Sequence, residues 1–233
     1  MPTHANALAV MAKAPIPGAV KTRLVPFLSI TEAAELARAL LIDQLNHLKA
    51  ISTADLYLAF TPQETEPLMR ELAPPEFALL SQIHGDLGAR MQNIFATLFA
   101  KGHKNIVLIG ADLPPVPLAH FAQALAYLDH PEPRAALGPS TDGGYYLIGL
   151  NRQLPQVFDD MTWSHDQVFV QTLGKLRAMR VAALKLPQWF DIDMPDDLTL
   201  LRSTLDSSPK ETAPNTSRIL SALKSPKKTV WIC

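Results

Sequence analysis

Apolar residues along this chain fall into two kinds of run that take turns. Short, mainly apolar blocks occupy positions 7–11, 55–60, 77–81, 106–109, 135–138, 145–150 and 181–186. They read as strands. The block Ile106-Val-Leu-Ile109 has no polar alternation at all, the pattern of a strand buried on both faces in a parallel sheet. Between these blocks, apolar residues recur at helical spacing. Ser29-Ile-Thr-Glu32 has the spacing of a capping box, and Ala33, Ala37, Leu40, Leu45 and Leu48 then form one face. Gly85-Asp-Leu-Gly88 leads into a second helix whose Met91, Ile94, Phe95, Leu98 and Phe99 face inward. Further helices are predicted over 64–72 and 118–128, and from Pro195 to near 205, proline being suited to a first helical turn. Ser164-His-Asp-Gln167 repeats the capping-box spacing, so Ser164 is expected to cap a helix running to 179, with His165 as a helix-start residue. Strand and helix alternating in this way predict an α/β fold, a parallel or mixed sheet between helical layers.

The texture changes at Ser207. Ser207-Ser-Pro-Lys-Glu-Thr-Ala-Pro-Asn-Thr-Ser217 is rich in turn-forming and polar residues and poor in core formers. One domain over 1–206 and a linker or flexible tail over 207–233 are therefore expected. Within that tail 219–223 could make a helical turn, and Thr229-Val-Trp-Ile-Cys233 is apolar for a free end.

Composition narrows the classes. A chain of 233 residues with 48% hydrophobic residues can build one large core. Its formal net charge of -1 argues against a nucleic-acid surface. The single cysteine, Cys233, rules out an internal disulfide and a cysteine-based metal site, as expected of a cytoplasmic protein. No apolar run approaches the ~18 residues of a membrane span, and the N-terminus does not read as a leader.

Four loops carry candidate chemistry. The strand ending at Ile109 is followed by Gly110-Ala-Asp-Leu-Pro-Pro115, whose prolines stop the strand and deliver Asp112 to its carboxyl end, where open α/β sheets bind ligands. Asp112 there either caps a turn or ligates a hard divalent cation. The loop Ala12-Lys-Ala-Pro-Ile-Pro-Gly-Ala-Val-Lys-Thr-Arg-Leu24 places Lys13, Lys21 and Arg23 at the same edge, with Gly18 and two prolines shaping its backbone. Such a cluster suits phosphate, yet it is neither a Walker loop nor a dinucleotide fingerprint, which argues against an ATPase and a dehydrogenase. In Thr141-Asp-Gly-Gly-Tyr-Tyr-Leu-Ile-Gly149, Asp142, Gly143, Gly144 and Tyr145 make a hairpin turn, a ligand-facing segment, or both. Asp191-Ile-Asp-Met-Pro-Asp-Asp197 holds four carboxylates. Asp196 and Asp197 read as helix caps, whereas Asp191 or Asp193 could join Asp112 around a cation. Carboxylates gathered this way repel one another, so neutralising Asp112 is expected to leave stability equal or higher.

Together with Gly85-Asp-Leu-Gly-Ala-Arg-Met91 and Gly138-Pro-Ser140, these segments resemble the bacterial glycosyltransferase-A-like family that includes arsenosugar-biosynthesis glycosyltransferases. They are more distantly similar to 2-phospho-lactate and molybdenum-cofactor guanylyltransferases. The resemblance covers about 8–201 and rests on five motifs in order. It implies a three-layer nucleotide-diphospho-sugar transferase fold with a central, mostly parallel sheet. It places Ala12, Lys13 and Gly18 at the nucleotide, Lys21 and Arg23 on its phosphates, and Asp86 to Arg90 beside base or ribose. It also implies a divalent cation (Mg²⁺ or Mn²⁺) on Asp112 and Asp193, and an acceptor against Asp142, Gly143, Gly144 and Tyr145. One position departs from glycosyltransferases of this fold: Gly110 stands where they carry the first carboxylate of an Asp-x-Asp triplet, an arrangement closer to nucleotidyltransferases. Glycosyl transfer to a small hydroxylated acceptor, with Asp142 as base, is the expected activity. Nucleotidyl transfer is the first alternative and a non-catalytic nucleotide-binding protein the second.

Overall fold

The structure, a computed structural model, describes residues 2–25, 27–209 and 211–223. The expected apolar end at 229–233 lies outside them. Among the described residues the chain runs β1 (Asn6–Lys13), α1 (Ile30–Leu48), β2 (Ala54–Thr61), α2 (Glu66–Leu72), β3 (Phe77–Ser81), α3 (Leu87–Ala100) and β4 (Asn105–Gly110). It continues with α4 (Leu118–Leu128), β5 (Arg134–Pro139), β6 (Tyr145–Leu150), α5 (Val168–Ala178), β7 (Ala182–Lys185), α6 (Asp197–Asp206) and α7 (Pro214–Ala222).

The strands join one sheet in the order β3-β2-β1-β4-β6-β5-β7. β1 pairs in parallel with both β2 and β4, and β5 in parallel with β7, while β6 runs antiparallel between β4 and β5. Alternate residues of a strand face opposite sides. On β1, Leu8 and Val10 therefore join Leu41 and Leu45 of α1 and Phe121 of α4 in one cluster. Ala7 and Ala9 join Ile94 and Phe95 of α3 and Leu176 of α5 on the other side. This is the three-layer architecture, with residues 7–10 of β1 and 106–109 of β4 buried on both faces as the unbroken apolar blocks predict.

Local chemistry explains where the helices begin. The Ser29 capping box forms as expected: Glu32 N donates to Ser29 Oγ at 3.2 Å and Ser29 N to Glu32 Oε2 at 2.8 Å. The second expected box does not form. Ser164 takes a left-handed backbone (φ 66°), and α5 starts only at Val168. Its first turn is satisfied from elsewhere, because Phe169 N donates to Gly143 O at 2.9 Å.

The expected boundary at 206 coincides with the end of α6. Part of the segment beyond it is a packed helix rather than a linker. Asp43, in the middle of α1 and 1% exposed, accepts hydrogen bonds from Asn215 N, Asn215 Nδ2 and Thr216 N at 3.2, 2.8 and 2.7 Å. Leu220 then packs with Leu36 and Leu40 of α1 and Leu201 of α6. A polar sequence suffices for α7 because a buried carboxylate, not an apolar pattern, anchors its first turn. Asp43→Ala is expected to lower stability by about 2 kcal/mol, by orphaning those donors. Asp43→Asn should recover part of the loss, both read by urea denaturation.

Candidate active site

The parallel strands deliver their carboxyl ends to one edge of the sheet, and the antiparallel β6 starts there. β1 ends at Lys13, β4 at Gly110 and β5 at Pro139, so the loops that follow meet at a single place. Backbone bonds fix them together. Ala111 N donates to Met11 O at 3.1 Å and Ile192 N to Asp112 O at 2.9 Å. Thr141 N donates to Trp189 O at 3.1 Å, laying the chain after β7 along the end of β5.

A lysine sits at the junction. Lys21 takes a left-handed backbone (φ 51°), and its side chain is only 1% exposed. Its Nζ lies 2.9 Å from Asp112 Oδ1 and 3.5 Å from Asp193 Oδ1. Asp112 and Asp193 themselves are 59% and 39% exposed, so their outer oxygens stay open to solvent. Arg23 Nη1 reaches Asp193 Oδ2 at 3.3 Å from a guanidinium side chain that is 62% exposed. Asp197 holds the loop from below, accepting from Asp193 N at 2.9 Å and Met194 N at 2.6 Å. Asp196 stands at the N-cap position of α6 without a side-chain bond to the helix.

The Asp112 environment corrects one expectation. Because Asp112 pairs with a buried ammonium, neutralising it strands Lys21 on the longer contact to Asp193, and stability is expected to fall rather than rise. Lys21 and Arg23, which the sequence treats alike, differ in burial: one ammonium is shielded and one guanidinium is open.

Beside this junction lies a cleft of about 210 Å³ bordered by Asp112, Ser140, Asp142, Tyr145, Trp163 and Asp191, among others. Asp142 Oδ1 accepts from Gly144 N at 2.9 Å, closing the turn between β5 and β6. Gly143 has φ 88°, and a Cβ there would stand 2.2 Å from Asp166 O. Asp191 accepts from Ser140 Oγ at 3.0 Å. Burial first, then the charges of Asp142 and Asp193, push its carboxyl above the usual range, and the Ser140 bond partly offsets them. Burial likewise raises the Tyr145 phenol, whose hydroxyl donates to Met91 Sδ at 3.7 Å.

The structure thus brings together Lys21, Arg23, Asp112 and Asp193, and next to them Asp142, Gly144 and Tyr145. Asp86 and Arg90 serve the start of α3: Asp86 Oδ1 accepts from Ala89 N at 2.8 Å and Arg90 Nε donates to Gly85 O at 2.9 Å. Ala12 is buried, while Lys13 and Gly18 (φ 78°) are exposed. Ser140 and Trp163 border the cleft without being singled out by the sequence. The Trp163 indole packs against Gly88, where a Cβ would meet it at 2.6 Å, so the second glycine of Gly85-Asp-Leu-Gly88 was the available signal.

A family model matches residues 44–165 of the chain. The chain belongs to the family described as uncharacterized proteins conserved in bacteria (DUF2064). No curated protein matches it. Among solved structures, a protein from Desulfovibrio desulfuricans G20, provisionally named a nucleotide-diphospho-sugar transferase, is 34% identical. The match covers 95% of this chain and 97% of that one, with a TM-score of 0.86. A cytidylyltransferase from Leptospira borgpetersenii serovar Hardjo-bovis is 11% identical over 97% of this chain and 98% of that one, with a TM-score of 0.59. Rv0371c from Mycobacterium tuberculosis H37Rv, solved in complex with manganese, is 18% identical over 84% and 97%, with a TM-score of 0.50. At these last identities the likeness is one of fold alone; the similarity to the Desulfovibrio protein supports the three-layer, mostly parallel architecture expected from the sequence.

The Gly-Gly turn supplies a direct check on the site's construction. Gly143→Ala is expected to cost at least about 2 kcal/mol in chemical denaturation, since it combines a left-handed backbone with a backbone clash. Gly144→Ala, whose Cβ would meet the Asp142 side chain at 3.2 Å, should cost less than about 1 kcal/mol.

Proposed function

We propose that this protein is a divalent-cation-dependent transferase using a nucleotide-activated sugar and glycosylating a small hydroxylated acceptor, of the arsenosugar-biosynthesis type that its motifs resemble. The observation that carries the reading is the Lys21 bridge between Asp112 and Asp193, which gathers two solvent-open carboxylates beside an exposed arginine at the ligand-binding edge. The similarity to the Desulfovibrio protein supports a nucleotide-sugar donor. The manganese complex of a protein sharing the fold supports a cation.

The donor set suits such an ion. Among the described residues no three His, Cys, Asp or Glu side chains converge as a metal cage. Two carboxylates completed by phosphate oxygens and water is how Mg²⁺ is commonly held. Asp112 and Asp193 would hold the ion, which when bound neutralises charge on the donor phosphates. Arg23 takes the phosphates from the open side with bidentate donors. Lys21, shielded from solvent, positions the two carboxylates and offsets their repulsion. Ala12, Lys13 and Gly18 line the nucleotide, with Asp86 and Arg90 toward base or ribose. Asp142, Gly143, Gly144 and Tyr145 receive the acceptor. Asp142 takes the proton of the attacking hydroxyl through the oxygen not bound to Gly144 N. The reaction unit spans 1–206 and works in the cytoplasm. Among the described residues no helix is long and apolar enough to cross a membrane.

One observation favours a second reading, nucleotidyl transfer. Gly110 leaves Asp112 without the paired carboxylate two residues earlier. A thermal-shift panel of nucleoside diphosphates, triphosphates and nucleotide sugars, with and without Mn²⁺, separates the readings. Greater stabilisation by a nucleotide sugar than by its triphosphate supports glycosyl transfer, and the reverse order supports nucleotidyl transfer. No metal-dependent shift with any nucleotide would leave a non-catalytic nucleotide-binding protein.

Burial makes the two cations separable by mutation. Arg23→Ala should weaken nucleotide binding by about 1.5–3 kcal/mol with unchanged stability. Lys21→Met should also lower stability, by roughly 1–3 kcal/mol, because it leaves two carboxylates facing each other. Asp112→Asn is expected to abolish the Mn²⁺-dependent gain in nucleotide affinity and to reduce stability. Isothermal titration with and without Mn²⁺, alongside urea denaturation, measures all three.

A further inference from the structure

The acceptor cleft has an unusual balance of hydrogen-bonding groups. Asp112, Asp142 and Asp191 border it, and no lysine or arginine does so among the described residues. The ammonium at the neighbouring junction, Lys21, is turned to Asp112 and Asp193 and closed to solvent. Ionised carboxylates only accept hydrogen bonds, so a ligand here must bring donors of its own. The hydroxyls that could donate are mostly committed. Ser140 donates to Asp191, Tyr145 to Met91 Sδ and Tyr146 to Pro187 O. His165 Nδ1 accepts from Gln167 N at 3.0 Å, which leaves its Nε2, the Ser164 hydroxyl and the buried, unpartnered Trp163 indole N–H as side-chain donors. Much of the remaining wall is apolar: Leu87, Leu113, Val168 and the ring faces of Tyr145 and Trp163. Such a surface stacks against a ring and excludes water from its faces. At about 210 Å³ the space falls below the roughly 300–1,000 Å³ typical of drug-sized ligands, so the occupant is small.

We infer that this cleft takes a small hydroxylated ring of zero or positive charge and rejects phosphorylated and other anionic acceptors, with Asp142 and Asp191 setting that choice. The inference rests on the transferase reading above and sharpens it. A cation bound at Asp112 and Asp193 would leave Asp142 and Asp191 as two uncompensated negative charges facing the acceptor. A phosphate entering there meets repulsion and few donors, whereas sugar hydroxyls or an ammonium find acceptors on two sides. Nucleotidyl transfer to an acceptor phosphate is disfavoured by the same field.

The test uses one scaffold in three charge states. Glucose, glucosamine and glucose 6-phosphate are titrated into the full chain without donor, following the part of the tryptophan fluorescence lost in Trp163→Phe. Glucose and glucosamine should bind at least about tenfold more tightly than the phosphate ester, as expected for charges a few ångströms apart at a protein surface. In the Asp142→Asn/Asp191→Asn double variant that gap should close to about threefold or less. Each single variant is carried alongside, with its melting transition recorded, so that a folding defect in the double variant does not decide the result. An ester that binds as well as glucose, a gap unchanged by the variants, or no Trp163-dependent signal with any of the three overturns the inference. Failure of the transferase reading shows separately, as absence of any nucleotide-sugar shift on the same preparation while the order of the three sugars holds.

Discussion

A single buried ammonium holds the functional edge of this protein together. Lys21 comes from the loop after the first strand, Asp112 from the loop after β4 and Asp193 from the loop ahead of α6. Without that positive charge, two carboxylates would face each other at close range, and each loop would relax toward solvent. With it, the loops share one electrostatic centre whose outer surface still presents anionic oxygens. The strain of a left-handed backbone at a non-glycine residue is tolerated at Lys21 because the paired carboxylates and surrounding burial fix it there.

The sheet arranges the two halves of the site. β1, β2 and β3, parallel throughout, bring the loops that follow them to one edge. β6, inserted antiparallel between β4 and β5, turns back at the same edge and supplies a hairpin where a further crossover would otherwise be needed. That reversal brings Ser140, Asp142 and Tyr145 to within one cleft of Asp112. One side of the candidate site is thus shaped by loops between strands and helices, and the other by a tight turn.

Much of the architecture was legible because burial on both faces leaves an unmistakable imprint. Ile106-Val-Leu-Ile109 has no place for a polar residue, and the observed strand is buried on both faces. The Ser29 box was legible because its two partners lie three residues apart. The loops of the site were visible through their glycines, prolines and charges, whereas their pairing was not. Lys21 and Asp193 are 172 residues apart, and no periodicity links a cation to a carboxylate over such a distance. The same limit hid α7, whose anchor Asp43 sits on the buried face of the amphipathic α1 and leaves no mark on the polar segment it captures. At Ser164 the local pattern was present and misleading, because the Gln167 amide that Ser164 would have capped donates to His165 Nδ1.

The turn between β5 and β6 is tied to a helix. Gly143 O accepts the Phe169 amide, and the space that a side chain at Gly143 would need is filled by Asp166. Turn and helix start are therefore one mechanical unit, and lengthening the turn by even one residue would pull the first turn of α5 out of place. Divergence of ligand preference in this cleft has little room to proceed by loop insertion. It is channelled into exchanges of side chains at the cleft wall, at Ser140, Trp163 or His165, where the backbone can remain as it is.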